Sequence, residues 1–158
     1  MPIRPLAEDF FNRASAKLSE AKRQLQQEFH YDVSVSASQE CIELSVKSIF
    51  SMLKDDFEPQ HKIGANQFVE IWGLIPPEMS TFVYIPRLWL LNKFWGDLYQ
   101  IAKYGNDTGE LGSDKFKVGA SRILKSCEAE FALKHAEEVH LAASHLRSWS
   151  FSHSSGYL

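Results

Sequence analysis

Residues 5–53 read PLAEDFFNRASAKLSEAKRQLQQEFHYDVSVSASQECIELSVKSIFSML, and this stretch decides the fold. From Pro5 to Phe29 the residues Phe10, Ala14, Leu18, Ala21, Leu25 and Phe29 recur at steps of three and four, the spacing that lays one apolar stripe along a helix. Pro5 suits the first helical turn, where a missing N–H costs nothing, and Glu8 and Asp9 answer the positive end of the helix dipole. His30, Tyr31 and Asp32 leave room only for a tight connection. Asp32 then caps a second helix that carries Val35, Ile42, Val46, Ile49 and Leu53 on one face. So short a connection makes the two helices antiparallel neighbours.

Downstream, residues 57–78, FEPQHKIGANQFVEIWGLIPPE, carry Pro59, Gly64, Gly73 and the pair Pro76 and Pro77, and so hold only a short helix, Ile63 to Trp72, in a loop-rich crossover. Thr81 to Ile85 is the one stretch that reads as extended. Pro86 opens a third long helix with Leu88, Leu91, Trp95, Leu98 and Ala102 on its buried side, ending at Tyr104 with Gly105 just beyond. Trp89 and Phe94 lie off that stripe, which a central position or a dimer contact explains. A cap at Ser113 or Asp114 starts a last helical pattern, which Gly119 interrupts early. It runs to about Trp149 with Leu124, Cys127, Phe131, Ala136, Val139, Ala143 and Leu146 as its apolar side. The expected architecture is all-α: an antiparallel up-down helical bundle of four main helices plus one short helix, residues 1–150, followed by a frayed polar tail, residues 151–158.

Composition fits this reading. The 158 residues suffice for one domain with its own core, and 44% hydrophobic with 23% charged is ordinary globular usage. The opening residues MPIRPLAEDFFNR lack the apolar run of a signal peptide. The most apolar stretch, Phe82 to Trp95, is interrupted by Pro86, Arg87, Asn92 and Lys93, so no membrane association and a cytoplasmic location are expected. A net charge of −3 argues against a constitutive nucleic-acid binder, DNA included, while leaving room for a local basic face. Cys41 and Cys127 each fall in a helical apolar pattern and are expected to be buried free thiols.

The second helix contains ASQECIELSVKSIF, residues 37–50, in which Ala37, Gln39, Glu43 and Lys47 form A-x-Q-x-x-x-E-x-x-x-K; Tyr31 and Asp32 precede it, and His61 follows in a polar loop. That order resembles the HEPN family, the nucleotide-binding domains of higher eukaryotes and prokaryotes. YQIAKYGND, residues 99–107, resembles the segment where many members carry Ala-Arg-Tyr-Pro, with Lys103 in place of the Arg and Gly105 in place of the Pro. A Lys there offers phosphate a point charge where an Arg offers a fork. The resemblance implies an antiparallel helical bundle, frequently a homodimer, often paired with a separate minimal nucleotidyltransferase in a toxin-antitoxin type pair. It implies no cofactor. The ligand-binding residues expected on this basis are Lys47 and Lys103 as phosphate charges, His61 as a polar contact and Tyr104 for stacking or as a hydroxyl donor.

Some members of the family are metal-independent ribonucleases with an Arg followed, after four to six residues, by a His. Two pairs here fit, Arg23 with His30 and Arg147 with His153. Six Arg and six His in 158 positions give about 0.7 such matches by chance, so the spacing alone carries little weight. Arg23 and His30 lie on the first helix and read as surface residues. Arg147 and His153 are the catalytic pair if the protein is a ribonuclease, with His153 as general acid or base and Arg147 stabilising phosphate charge. The basic run Lys115, Lys117, Arg122 and Lys125 would then hold RNA backbone, against its ordinary reading as a solvated helix face. The leading expectation is a non-catalytic HEPN-like module that binds a nucleotide or a nucleotidyltransferase partner. The rivals are the ribonuclease and a structural interaction protein with no nucleotide ligand.

Metal and other chemistries have weaker support. Glu137 and His140 form an E-x-x-H, but the second copy, Glu58 to His61, contains Pro59 and lies in a loop. His135, His140 and His145 are each rotated about 140° from the previous one and do not converge. Gly105, Gly109 and Gly112 precede a helix without the strand and Gly-Lys-Ser/Thr ending of a phosphate loop, and the four Trp read as core or interface.

Overall fold

The computed structural model describes residues 3–59, 62–104 and 123–154, with backbone only for 99–104 and 154. Among these the chain is helical with no strand. In order come α1 (Pro5–Leu25), α2 (Tyr31–Leu53), α3 (Ala65–Trp72), a single 3-10 turn (Pro77–Met79), α4 (Ile85–Tyr104) and α5 (Ser126–Ser154). The expected caps at Gly105, Ser113 and Asp114, and the break at Gly119, lie outside the described residues.

Helix α2 is the centre of the fold and touches α1, α4 and α5. Fourteen of its 23 residues are buried, which is why its apolar residues do not keep to one face. What lets three helices close on it is side-chain size. Ala7, Ala14 and Ala21 repeat every seven residues along α1, and Ser34, Cys41 and Ser48 do the same along α2; all six are buried. The two lines meet so closely that Ser34 Oγ donates to the Ala21 carbonyl and Ser48 Oγ to the Ala7 carbonyl, each at 2.9 Å. On α5 the buried line is again small, with Ala129, Ala132, Ala136, Ala142 and Ala143 beside Val139 and Leu146. Cys41 Sγ lies 3.9 Å from the Ala136 carbonyl. Bulk is supplied at the other side of α2, where Phe50 meets Phe57 and Phe68 at ring-centroid distances of 5.2 and 5.0 Å and so pins the crossover and α3 to the core.

Several expectations are corrected. Helix α1 stops at Leu25, and Phe29, expected on its apolar stripe, is 72% exposed with φ of +68°. The chain must reverse direction before Tyr31, and it does so through successive turn hydrogen bonds, Gln27 N–H to Gln24 O and His30 N–H to Gln27 O. Asp32 does not cap α2. His30 occupies that position without a side-chain cap, and Asp32 sits in the first turn, where the helix dipole still favours its carboxylate. Helix α3 starts at Ala65, its first turn closed by Gln67 Oε1 accepting from the Gly64 N–H at 2.9 Å. The stretch Thr81 to Ile85 is a turn running into α4. Cys127 and Phe131, expected on the apolar side of the last helix, are exposed, because close approach to α2 selects the alanine line rather than the larger side chains next to it. The last helix also continues to Ser154, four residues past the expected start of the tail at 151 counting that residue itself.

Candidate functional site

Gln39, Glu43 and Lys47 stand one turn apart on α2 and bond to one another. Lys47 Nζ donates to Glu43 Oε1 at 2.6 Å, and Gln39 Nε2 donates to Glu43 Oε2 at 3.3 Å. Lys47 is only 12% exposed along its side chain, and its charge is answered by Glu43. Gln39 Oε1 is buried with no hydrogen-bond partner among the described residues. The residues of the A-x-Q-x-x-x-E-x-x-x-K pattern thus form a ladder rather than a row of free groups. Of the other expected ligand residues, Lys103 and Tyr104 lie at the C-terminal end of α4 with side chains outside the described set, and His61 lies outside it altogether. Among the described residues, Lys47 is brought together with Glu43.

Arg147 and His153 both lie on α5, six residues apart, which turns them about 120° from each other around the helix axis. Arg147 is held from three sides. Its Nε and Nη2 donate to the Glu8 carboxylate, the former at 2.8 Å, and its guanidinium lies 5.0 Å from the Phe11 ring and 4.9 Å from the Phe151 ring. The Arg147 hydrogen bond holds the Glu8 carboxyl below the ordinary glutamate range against the opposing effect of burial. His153 stacks on Trp149 at 4.4 Å, and its Nδ1 lies 2.9 Å from the Trp149 carbonyl, so that nitrogen carries the proton and donates. Trp149 in turn donates its indole N–H to Glu78 at 2.9 Å. The other spacing match is on the surface: Arg23 and His30 are exposed, and His30 Nδ1 is bonded to Gln24 Oε1 at 2.7 Å.

The remaining histidines have separate surroundings. His135 Nδ1 accepts from the Trp95 indole at 3.0 Å, and burial, with the charge of Arg87, lowers its pKa. His140 lies 2.8 Å from Ser15 Oγ and stacks on Phe11; burial, and then the charge of Lys22, lowers its pKa. His145 packs on Phe82 at 4.5 Å. Glu137 pairs with Lys22 at 2.9 Å, so the two ends of the E-x-x-H have different partners. Among the described residues no group of three or more His, Cys, Asp or Glu is placed to hold a metal ion. Of the basic run, Lys115, Lys117 and Arg122, like Gly109 and Gly112, lie outside the described residues.

One arrangement escaped the sequence reading. Arg87 near the start of α4 and Glu138 midway along α5 form a two-point ion pair across 51 residues, beside the half-exposed rings of Phe82 and Tyr84. No local pattern signals such a pair. The available hint was the pair of rings Phe82 and Tyr84, which falls in the expected extended stretch Thr81 to Ile85, with Arg87 just inside the helix that follows.

The comparison with curated proteins gives no match, and neither does the comparison with solved structures. A family model does match: that of the HEPN domain, over residues 7–146. It covers α1 from Ala7, the whole of α2, α3 and α4, and α5 as far as Leu146, and so includes both the α2 ladder and Arg87 with Glu138; this chain belongs to the HEPN family.

Proposed function

We propose that this protein is a non-catalytic HEPN module of the cytoplasm that acts as a homodimer and engages a nucleotide or a minimal nucleotidyltransferase partner, in a toxin-antitoxin type pair. The observation that carries the non-catalytic reading is the placement of Arg147. A guanidinium that stabilises a phosphate in a transition state has to bring uncancelled positive charge to where the negative charge develops, beside the group that moves the proton. Arg147 instead has its charge answered by the Glu8 carboxylate, lies against the rings of Phe11 and Phe151, and is turned about 120° from His153 around the helix. Lys47, His61, Lys103 and Tyr104 are the residues assigned to ligand, with a phosphate replacing Glu43 as the partner of Lys47.

The scaffold in this reading is an antiparallel up-down bundle whose last helix runs to Ser154. Its support is the order in which paired residues meet: Glu8 with Arg147, Ser15 with His140 and Lys22 with Glu137 between α1 and α5, and Arg87 with Glu138 and Trp95 with His135 between α4 and α5. Exposed Leu90 and Phe94 on α4 support a homodimer contact, since apolar side chains one turn apart make a continuous strip. Among the described residues no helix is long and apolar enough to cross a membrane.

The test is RNA degradation by purified protein in EDTA beside a His153→Ala variant. No cleavage by either agrees with the proposal, and binding of nucleotides then separates it from a purely structural interaction protein. Cleavage that vanishes in the variant would make the protein a metal-independent ribonuclease and overturn it.

A further inference from the structure

A groove of about 340 Å³ opens between the start of α4 and the middle of α5, a size in the range of small-ligand sites. Leu88 and Ala142 line it, the rings of Phe82 and Tyr84 stand beside it, and Arg87 and Glu138 form a polar edge. Tyr84 is 55% exposed, and its ring is steadied edge-on by Trp72 at 6.2 Å; Phe82 is steadied by His145. The Arg87–Glu138 pair has a specific geometry. Nε and Nη2 of Arg87 are both spent on the Glu138 carboxylate. This leaves both N–H groups of Nη1 and the second N–H of Nη2, which form the end of the guanidinium fork and suit two adjacent acceptors in one plane.

A phosphate offers two such acceptors, but Glu138 already cancels the charge that would draw it in. An uncharged edge with two neighbouring acceptors fits better, and among nucleobases that edge is O6 and N7 of guanine. Exposed aromatic rings beside the fork supply the stacking surface that a base needs. We propose that this groove binds a guanine base, with Arg87 donating to O6 and N7, Glu138 holding the fork in plane, and Tyr84 and Phe82 stacking. The inference rests on the reading that the protein engages nucleotides, and it adds a site apart from the residues at the far end of α4. At 1.5 Å per helical residue, Arg87 and Tyr104 are about 25 Å apart, more than one nucleotide spans.

The guanine can come from a free nucleotide or from an unpaired residue of RNA, and titration of the full chain distinguishes these sources. Calorimetry uses GMP, IMP, AMP and 7-deaza-GMP. Fluorescence anisotropy uses a labelled oligoadenylate with and without one central G. GMP and IMP are expected to bind roughly ten- to a hundredfold tighter than AMP, with 7-deaza-GMP close to AMP because it lacks N7. A preference found only with the oligonucleotide assigns the guanine to RNA. Arg87→Met, which keeps the length of the side chain and loses its donors, should abolish the preference; Tyr84→Phe should retain it, and Lys93→Ala, at an exposed position of α4, should leave it unchanged, each variant shown to be folded by a cooperative urea transition. Equal binding of GMP and AMP, or a preference that survives Arg87→Met, overturns the groove. Nucleotide binding that responds to Lys47→Ala and not to Arg87→Met removes the groove and leaves the proposed function standing, whereas no binding of any nucleotide or RNA removes both.

Discussion

Replacing Arg147 by Ala tests whether this side chain belongs to the scaffold or to catalysis. The Glu8–Arg147 pair is about one-third exposed at each end and engages two guanidinium nitrogens, which puts it at the upper end of the surface range, about 1 kcal/mol. The contacts with Phe11 and Phe151 contribute about 0.5–1 kcal/mol each. Together the loss is about 2–3 kcal/mol, and with a urea m-value of about 2 kcal/mol/M the unfolding midpoint falls by about 1–1.5 M. Glu8→Gln removes the ion pair and keeps the ring contacts, so it costs about 1 kcal/mol, and the double variant returns a coupling of that order. The pH dependence has a definite sign. Because Arg147 depresses the folded-state pKa of Glu8, the pair contributes fully above the ordinary glutamate value of 4.5 and is lost as pH falls through the lower folded value. A midpoint unchanged in Arg147→Ala, together with RNA cleavage that disappears in that variant, would refute the scaffold role and restore the catalytic one.

Three further outcomes follow from the packing. Ala14→Leu forces bulk into the close α1–α2 contact and should cost about 1–3 kcal/mol, whereas Ala16→Leu on the exposed side of the same helix should stay within about 0.5 kcal/mol, both read from urea midpoints. Burial lowers the folded-state pKa of His140 and His135, so their contribution is complete above 6.5 and declines as pH falls below it toward the folded values. Midpoints at about pH 7.5 and about pH 5.5 should differ in that direction, and less so in His140→Gln. Burial pushes the Cys41 thiol up to about 12 while Cys127 is exposed, so iodoacetamide should add one label to the native protein and two in denaturant, counted by mass.

Local chemistry was enough to mark several of the helix boundaries. Pro5, Pro86 and the prolines and glycines between residues 59 and 77 mark boundaries through restrictions on φ and missing N–H groups, which act within one or two residues and need no tertiary context. The family was legible for a related reason: Gln39, Glu43 and Lys47 are spaced by single helical turns, and their bonds to one another form within α2 itself. What periodicity could not rank was the choice between neighbouring lines on one helix. Phe131 and Cys127 are as apolar as Ala132 and Ala129, and only the separation of α5 from α2 decides that the small residues go inward. The roles of the charged residues were equally hidden. Arg147 finds Glu8 across 139 residues and Arg87 finds Glu138 across 51, so which carboxylate answers each guanidinium, and which rings stand beside it, is settled by which helices lie side by side. Spacing along the chain determined where side chains sit on each helix; the packing of the helices determined what each side chain meets, because Coulomb and hydrogen-bond energies depend on distance in space and not on separation in sequence.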